Sequence, residues 1–227
     1  MNPPLLLLHG ALGSAAQFDA LRQHLPAGQR VWAPDFPGHG GQPTGSTEFS
    51  IPAFADSVLA FLDAQNAGPV DVFGYSMGGY VGLYLAWKHP ERVRQLWTLG
   101  TKFDWTPETA ARESSRLDPE KMAAKVPAFA EALARRHAPA YWQELVRRTA
   151  GLLQGLGADP LLGPAAFAAI DCPVRIGLGD ADQMVSVEES EQTAGRLRRG
   201  HFDLLPDTPH PFEQVDVQRL AKWLQGI

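Results

Sequence analysis

At 227 residues with 44% hydrophobic side chains, the chain can bury one sizeable core, and its formal net charge of −5, with arginines dispersed among acids, offers no basic tract for nucleic acid. A single cysteine, Cys172, excludes an internal disulfide and fits a reducing compartment as a buried structural thiol. The Leu5 to Leu8 run has neither the length nor the basic flank of a secretory segment, and no stretch reaches membrane-spanning length. The expectation is a single cytoplasmic domain over 1–227 that acts on a small molecule without membrane or nucleic-acid partners, its oligomeric state left open.

In chain order, Pro4 to Leu8 reads as a strand buried on both faces, ended by a glycine-bearing turn, with Ser14 as the N-cap of a helix striped by Phe18, Leu21 and Leu25. Val31 to Asp35 is the second strand, closed by Phe36-Pro37-Gly38-His39-Gly40-Gly41, where His39 reads as a brace of the turn. Ser50 starts a helix carrying Phe54, Val58, Phe61 and Leu62 on one face. An apolar, β-branched run from Val70 enters the turn Gly74-Tyr75-Ser76-Met77-Gly78 as a strand, a helix with Met77, Val81 and Leu85 at helical spacing leaves it, and strand Val93 to Leu99 follows. Strands and helices alternate without a break, which predicts a doubly wound parallel sheet.

From about 104 to 170 no strand is legible, and helical spacing between prolines predicts a helical cap inserted over the strands' C-terminal ends. Trp105, Phe129, Tyr141, Trp142, Leu145, Leu152 and Leu153 are the candidate roof of a pocket there, whereas Arg135-Arg136 and Arg147-Arg148 read as solvated. The sheet resumes at Pro173 to Gly179, and a helix over Val187 to Leu197 and a last strand over His201 to Leu205 follow. A closing helix is striped by Phe212, Val215, Leu220, Trp223 and Leu224.

Gly74-Tyr75-Ser76-Met77-Gly78 joins a strand directly to a helix, and this G-x-S-x-G spacing describes a nucleophile elbow. The turn raises Ser76 above the sheet edge, and the free N–H groups of the helix start, beginning with Met77, point at the same place. Serine needs a base to take its proton, and the base needs a carboxylate to fix its tautomer. His210 leaves the last strand at the Ser76 edge, whereas His201 opens that strand at the opposite edge and His89 ends the elbow helix. Asp180 and Asp182 both leave the preceding strand; Asp182 lies deeper in its loop and reaches better, with Asp180 as a brace and Asp104 as an alternative acid. No metal-ligand spacing is present, and neither metal nor organic cofactor is expected.

These residues, with His9-Gly10-Ala11-Leu12-Gly13-Ser14, Asp35-Phe36-Pro37-Gly38-His39-Gly40 and Gly179-Asp180-Ala181-Asp182, resemble the α/β-hydrolase superfamily over nearly the whole chain. The resemblance implies a Ser76, Asp182, His210 triad and an oxyanion hole from the backbone N–H groups of Ala11 and Met77, with Leu12 as second choice. It also implies a sheet reduced to about six parallel strands, because the antiparallel pair that often opens the family is missing before residue 9. Leu12, Tyr80, Trp105 and Trp142 are the expected substrate-facing side chains. The first motifs and the elbow also look like those of small capped enzymes that include the menaquinone-pathway lyase; that group carries an arginine after the second elbow glycine, where Tyr80 stands here. The expected chemistry is hydrolysis of a small carboxylic ester through an acyl-enzyme. C–C hydrolysis or lysis by the same triad is the alternative, followed by a non-catalytic receptor.

Overall fold

The computed structural model describes residues 3–45 and 49–226. Strand β1 (Leu5–Leu8) leads through a 3-10 turn (Ala15–Phe18) into the short helix α1 (Asp19–Arg22), and β2 (Val31–Trp32) precedes α2 (Ile51–Ala64). Then come β3 (Val70–Tyr75), α3 (Met77–Lys88) and β4 (Val93–Leu99). Five helices follow without a strand: α4 (Pro107–Ser114), α5 (Pro119–Lys125), α6 (Pro127–His137), α7 (Trp142–Ala158) and α8 (Pro164–Ala168). The chain closes with β5 (Val174–Gly179), α9 (Val187–Arg196), β6 (Gly200–Leu205) and α10 (Val217–Gln225).

The strands form one six-stranded sheet in the order β2-β1-β3-β4-β5-β6. Every neighbouring pair is parallel, with Leu5 beside both Val31 and Asp71 and Leu96 beside Val174. Alternation of side chains divides the core in two. Leu6 and Leu8 of β1 join α2, α3 and the inserted helices on one face, while Leu5 and Leu7 join Phe18, Leu21, Phe212, Leu220 and Trp223 on the other. All four leucines are buried, each contributing about 2 kcal/mol, so a strand with no polar alternation is stable only because both faces are covered.

Several boundaries differ from the sequence expectation for identifiable reasons. Ser14 makes no side-chain cap; Ala15 N–H donates instead to Asp35 Oδ1 at 2.6 Å, so the carboxylate at the end of the second strand takes over the capping task. Pairing with β1 covers only Val31 and Trp32 of the five residues expected in β2. Phe212 lies in a separate 3-10 turn ahead of α10, although it packs into the same core as that helix. Ser50 does cap α2, accepting the Ala53 N–H at 3.2 Å. Cys172 is half-buried, which pushes its thiol up to about 11. Among the described residues no helix is long and apolar enough to cross a membrane.

Candidate active site

Strand β3 runs into α3 with a single residue between them, and that residue is Ser76, held at φ 51° and ψ −118°. A non-glycine residue in so sparsely populated a conformation costs about 1–3 kcal/mol and persists only where its surroundings overdetermine it. Two bonds do so here: Ser76 N–H donates to the Leu99 carbonyl at 2.8 Å, and the Thr101 hydroxyl donates to the Ser76 carbonyl at 3.0 Å. The flanking glycines are required by close approach. A Cβ at Gly74 would meet the backbone of Gly78 and Gly79, and one at Gly78 would run into the Leu8 carbonyl. Met77 is the first residue of α3, so its N–H has no acceptor within the helix.

Asp182 and His210 leave the C-terminal ends of β5 and β6. His210 Nδ1–H donates to Asp182 Oδ2 at 2.7 Å, which leaves Nε2 as the unprotonated ring nitrogen. The carboxylate is 2% exposed and the imidazole 11%. The other oxygen, Asp182 Oδ1, accepts the Met184 and Val185 N–H groups at 2.7 and 3.0 Å, so the acid is fixed by its own loop. Gly100, at φ 61°, makes room for the pair: a Cβ there would stand 3.2 Å from Asp182 Oδ2 and 3.3 Å from His210 Nδ1. Asp180 links the two loops by accepting the Thr208 N–H at 3.4 Å, as a brace would. Asp104 is exposed, and its N–H donates to Glu189; its carboxylate has no part in the His210 pair.

A cavity of about 90 Å³ lies over the elbow, lined by Ser76, Met77, His210 and Ala11. Its apolar wall comes from Ile51, Tyr80, Trp105, Leu152, Leu153 and Leu156. Of the side chains expected to face a substrate, Tyr80 and Trp105 line this cavity and Leu12 and Trp142 do not. Leu12 turns into the core instead. Trp142 is buried at the start of α7, about 15 Å along the helix axis from Leu152. Of the other expected roof residues, Leu145 is buried in the core, while Phe129 and Tyr141 are 43% and 81% exposed. The Tyr80 hydroxyl accepts the Leu162 N–H at 3.2 Å, and burial pushes its pKa up to about 12.

Several supporting residues carry no sequence motif. The Tyr75 hydroxyl donates to the His210 carbonyl at 2.7 Å, tying the elbow strand to the histidine loop. Glu189, in the first turn of α9, accepts from Phe103 N–H at 2.9 Å and pairs with Lys102 at 3.3 Å, anchoring the chain that leaves β4. Ala11 and Leu12 form a turn closed by Gly13 N–H donating to the Gly10 carbonyl at 3.1 Å, with Leu12 at φ 58°. A positive φ at the third position is what a type II turn requires. The Leu12 carbonyl accepts from Arg136 Nη1 at 2.9 Å and His137 Nε2 at 3.1 Å, both at the end of α6. Arg136, expected to be solvated, is therefore engaged.

Behind this turn three histidine rings pack together, His9 against His39 at 4.9 Å and His39 against His137 at 5.8 Å. Each is held neutral. Burial lowers His9 to about 4, and it lowers His39 well below the usual histidine value. His137 is lowered chiefly by burial, and its Nδ1 accepts the Gly40 N–H at 3.0 Å. His9 bridges two loops, donating from Nδ1 to the Gly10 carbonyl at 2.9 Å and accepting Phe36 N–H at Nε2 at 3.1 Å. Among the described residues no group of histidine, cysteine and carboxylate side chains is arranged to hold a metal ion.

Comparison with known proteins matches residues 3–156 to the family described as alpha/beta hydrolase fold. Over 90 residues the chain is 46% identical to a pimeloyl-[acyl-carrier protein] methyl ester esterase of Neisseria meningitidis, a stretch covering 40% of this chain and 33% of that relative's length. Over 259 aligned residues it is 28% identical to a 3-hydroxybutyrate-oligomer hydrolase of Cupriavidus necator, covering 97% of this chain and 87% of the relative. Among solved structures it superposes on MenH from S. aureus with a TM-score of 0.79 at 19% identity, covering 100% of this chain and 93% of the other, which speaks for the fold alone.

Proposed function

The chain belongs to the α/β-hydrolase fold family, and from that premise we propose that it hydrolyses a small carboxylic ester through Ser76, His210 and Asp182. Ser76 Oγ attacks the ester carbonyl while His210 Nε2 takes its proton; Asp182 stabilises the imidazolium that forms. The N–H groups of Ala11 and Met77 hold the oxyanion, each such donor contributing about 10²–10³ in rate. His210 returns the proton to the leaving alcohol, and water then attacks the acyl-enzyme with the same groups reversing roles. The observation that carries this reading is the 2.7 Å His210–Asp182 bond on a histidine that lines the same apolar cavity as the strained Ser76.

One relative is named a methyl ester esterase and the other a 3-hydroxybutyrate-oligomer hydrolase, and both names agree with this assignment. The cavity is small and mostly apolar, with Lys102 and Glu113 also on its lining, and its size favours a short group beside the scissile bond. Hydrolysis of p-nitrophenyl esters from acetate to decanoate tests the proposal. The expected result is turnover concentrated at the short end of the series, falling by roughly 10⁴–10⁶ in kcat in Ser76→Ala and in His210→Ala. A wild type inert on the whole series, or activity that survives Ser76→Ala, overturns it.

A further inference from the structure

Arg136 ties the Ala11-Leu12 turn to the segment that follows the histidine loop. Its Nη1 donates to the Leu12 carbonyl at 2.9 Å, and its Nη2 reaches Glu213 Oε1 at 3.0 Å, three residues beyond His210. The next residue, His137, donates from Nε2 to the same Leu12 carbonyl while its Nδ1 accepts Gly40 N–H from the loop after β2. Two consecutive residues at the end of α6 thus hold one carbonyl of the Ala11-Leu12 turn. Their reach is directed, since the two donors come from a helix 124 and 125 positions away in sequence.

The turn needs such a hold. Leucine at a left-handed φ is unfavourable, and the alternative turn with Leu12 at negative φ is open to the same sequence. The turn carries the Ala11 N–H on which the proposed oxyanion hole depends, so that donor stays in one place only while the turn itself is held. Donors 2.7–3.1 Å from the oxyanion are effective only when fixed before the reaction. We infer that Arg136 and His137 are positioning residues that, by holding the Leu12 carbonyl, anchor this turn to α6, so that the oxyanion hole is competent only while α6 is docked. The inference rests on the esterase reading for its catalytic consequence, though not for the geometry of the lock.

Amide hydrogen exchange and ester kinetics are measured together on wild type, Arg136→Met, Arg136→Lys, His137→Gln and Glu213→Gln, with thermal melts as a folding control. In Arg136→Met the Gly13 amide is expected to exchange at least tenfold faster while amides of β3 do not change, and kcat falls at least tenfold with KM changing less than threefold. Arg136→Lys, which keeps one donor, recovers part of both effects. His137→Gln retains one of two bonds and gives a smaller loss in the same direction. Should Arg136→Met not fold, His137→Gln carries the test alone. Unchanged Gly13 exchange overturns the lock, and so does faster exchange without a fall in kcat. An equal kcat loss in Glu213→Gln also overturns it, because the effect would then run through the histidine loop. If exchange responds as expected but no ester is hydrolysed even by wild type, the esterase reading fails and the lock stands.

Discussion

The two oxygens of Asp182 have separate tasks: Oδ2 accepts from His210, and Oδ1 accepts two amides of its own loop. An Asp182→Asn side chain has one oxygen, and the two amides will claim it. The Nδ2H2 group then faces His210 Nδ1 as a donor and forces the ring into the tautomer whose Nε2 is protonated, a nitrogen that cannot accept a proton from Ser76. Turnover of the preferred p-nitrophenyl ester is therefore expected to fall by roughly 10³–10⁴ with the melting temperature little changed. An asparagine variant within tenfold of wild type would remove Asp182 from the mechanism. At this scale the sequence was most informative where topology restricts the choice. Ser76 is marked by the glycines that strand-to-helix crossing demands, and His210 by the edge from which its loop departs. Tyr75 and Arg136 carried no such mark, because a hydroxyl or guanidinium finds its partner only after distant elements have packed.

The elements that hold the loops were legible in part for the same reason. Strands β4 and β5 appeared as apolar runs within a residue of their observed bounds, while β3 continues two residues into the expected turn, through Gly74 and Tyr75. The inserted helices were visible as helices but not as a surface. Helical spacing tells which residues share a face, while which neighbour that face meets depends on how α4 to α8 pack. Hence Phe129 and Tyr141 point outward, and Leu156, not singled out in the sequence, lines the cavity. Glu189 illustrates what an element end contributes. It closes a capping box with Ser186, accepts from Phe103 N–H and pairs with Lys102, so one carboxylate joins α9 to the chain leaving β4. Glu189→Ala should lower the unfolding free energy by about 2 kcal/mol, the sum expected of a lost cap and a lost charge-assisted bond. Urea unfolding measures this, and a change below about 0.5 kcal/mol would show that the joint is mechanically idle.

For the molecule as a whole, the buried histidines set a pH limit. His9 titrates near 6.5 when unfolded and at about 4 when folded, its depression caused first by burial, with Asp35 Oδ1 3.9 Å away and the His39, His137 and Arg136 side chains close by. Above pH 6.5 the ring is neutral in both states and its contribution is fully present. As pH falls from 6.5 towards 4 the unfolded chain takes up the proton first, and stability is lost by about 3 kcal/mol from this residue alone. His39 and His137 act in the same direction. The urea midpoint should thus decline between pH 6.5 and 4, and less steeply in His9→Asn, whose amide can still donate and accept. Parallel declines in the two proteins would mean that His9 is not the titrating group.

The register of β4 against β5 has a kinetic meaning as well. Leu96 lies beside Val174, so the central sheet closes only after the whole run of α4 to α8 has been looped out, a contact of high sequence separation and correspondingly slow formation. Ser76 is placed on the early side of that closure, Asp182 and His210 on the late side. A chain emerging from the ribosome carries its serine long before it carries the imidazole that would arm it. On the proposed mechanism, Ser76 is an ordinary alcohol through synthesis and most of folding, and its reactivity arrives with the last two strands.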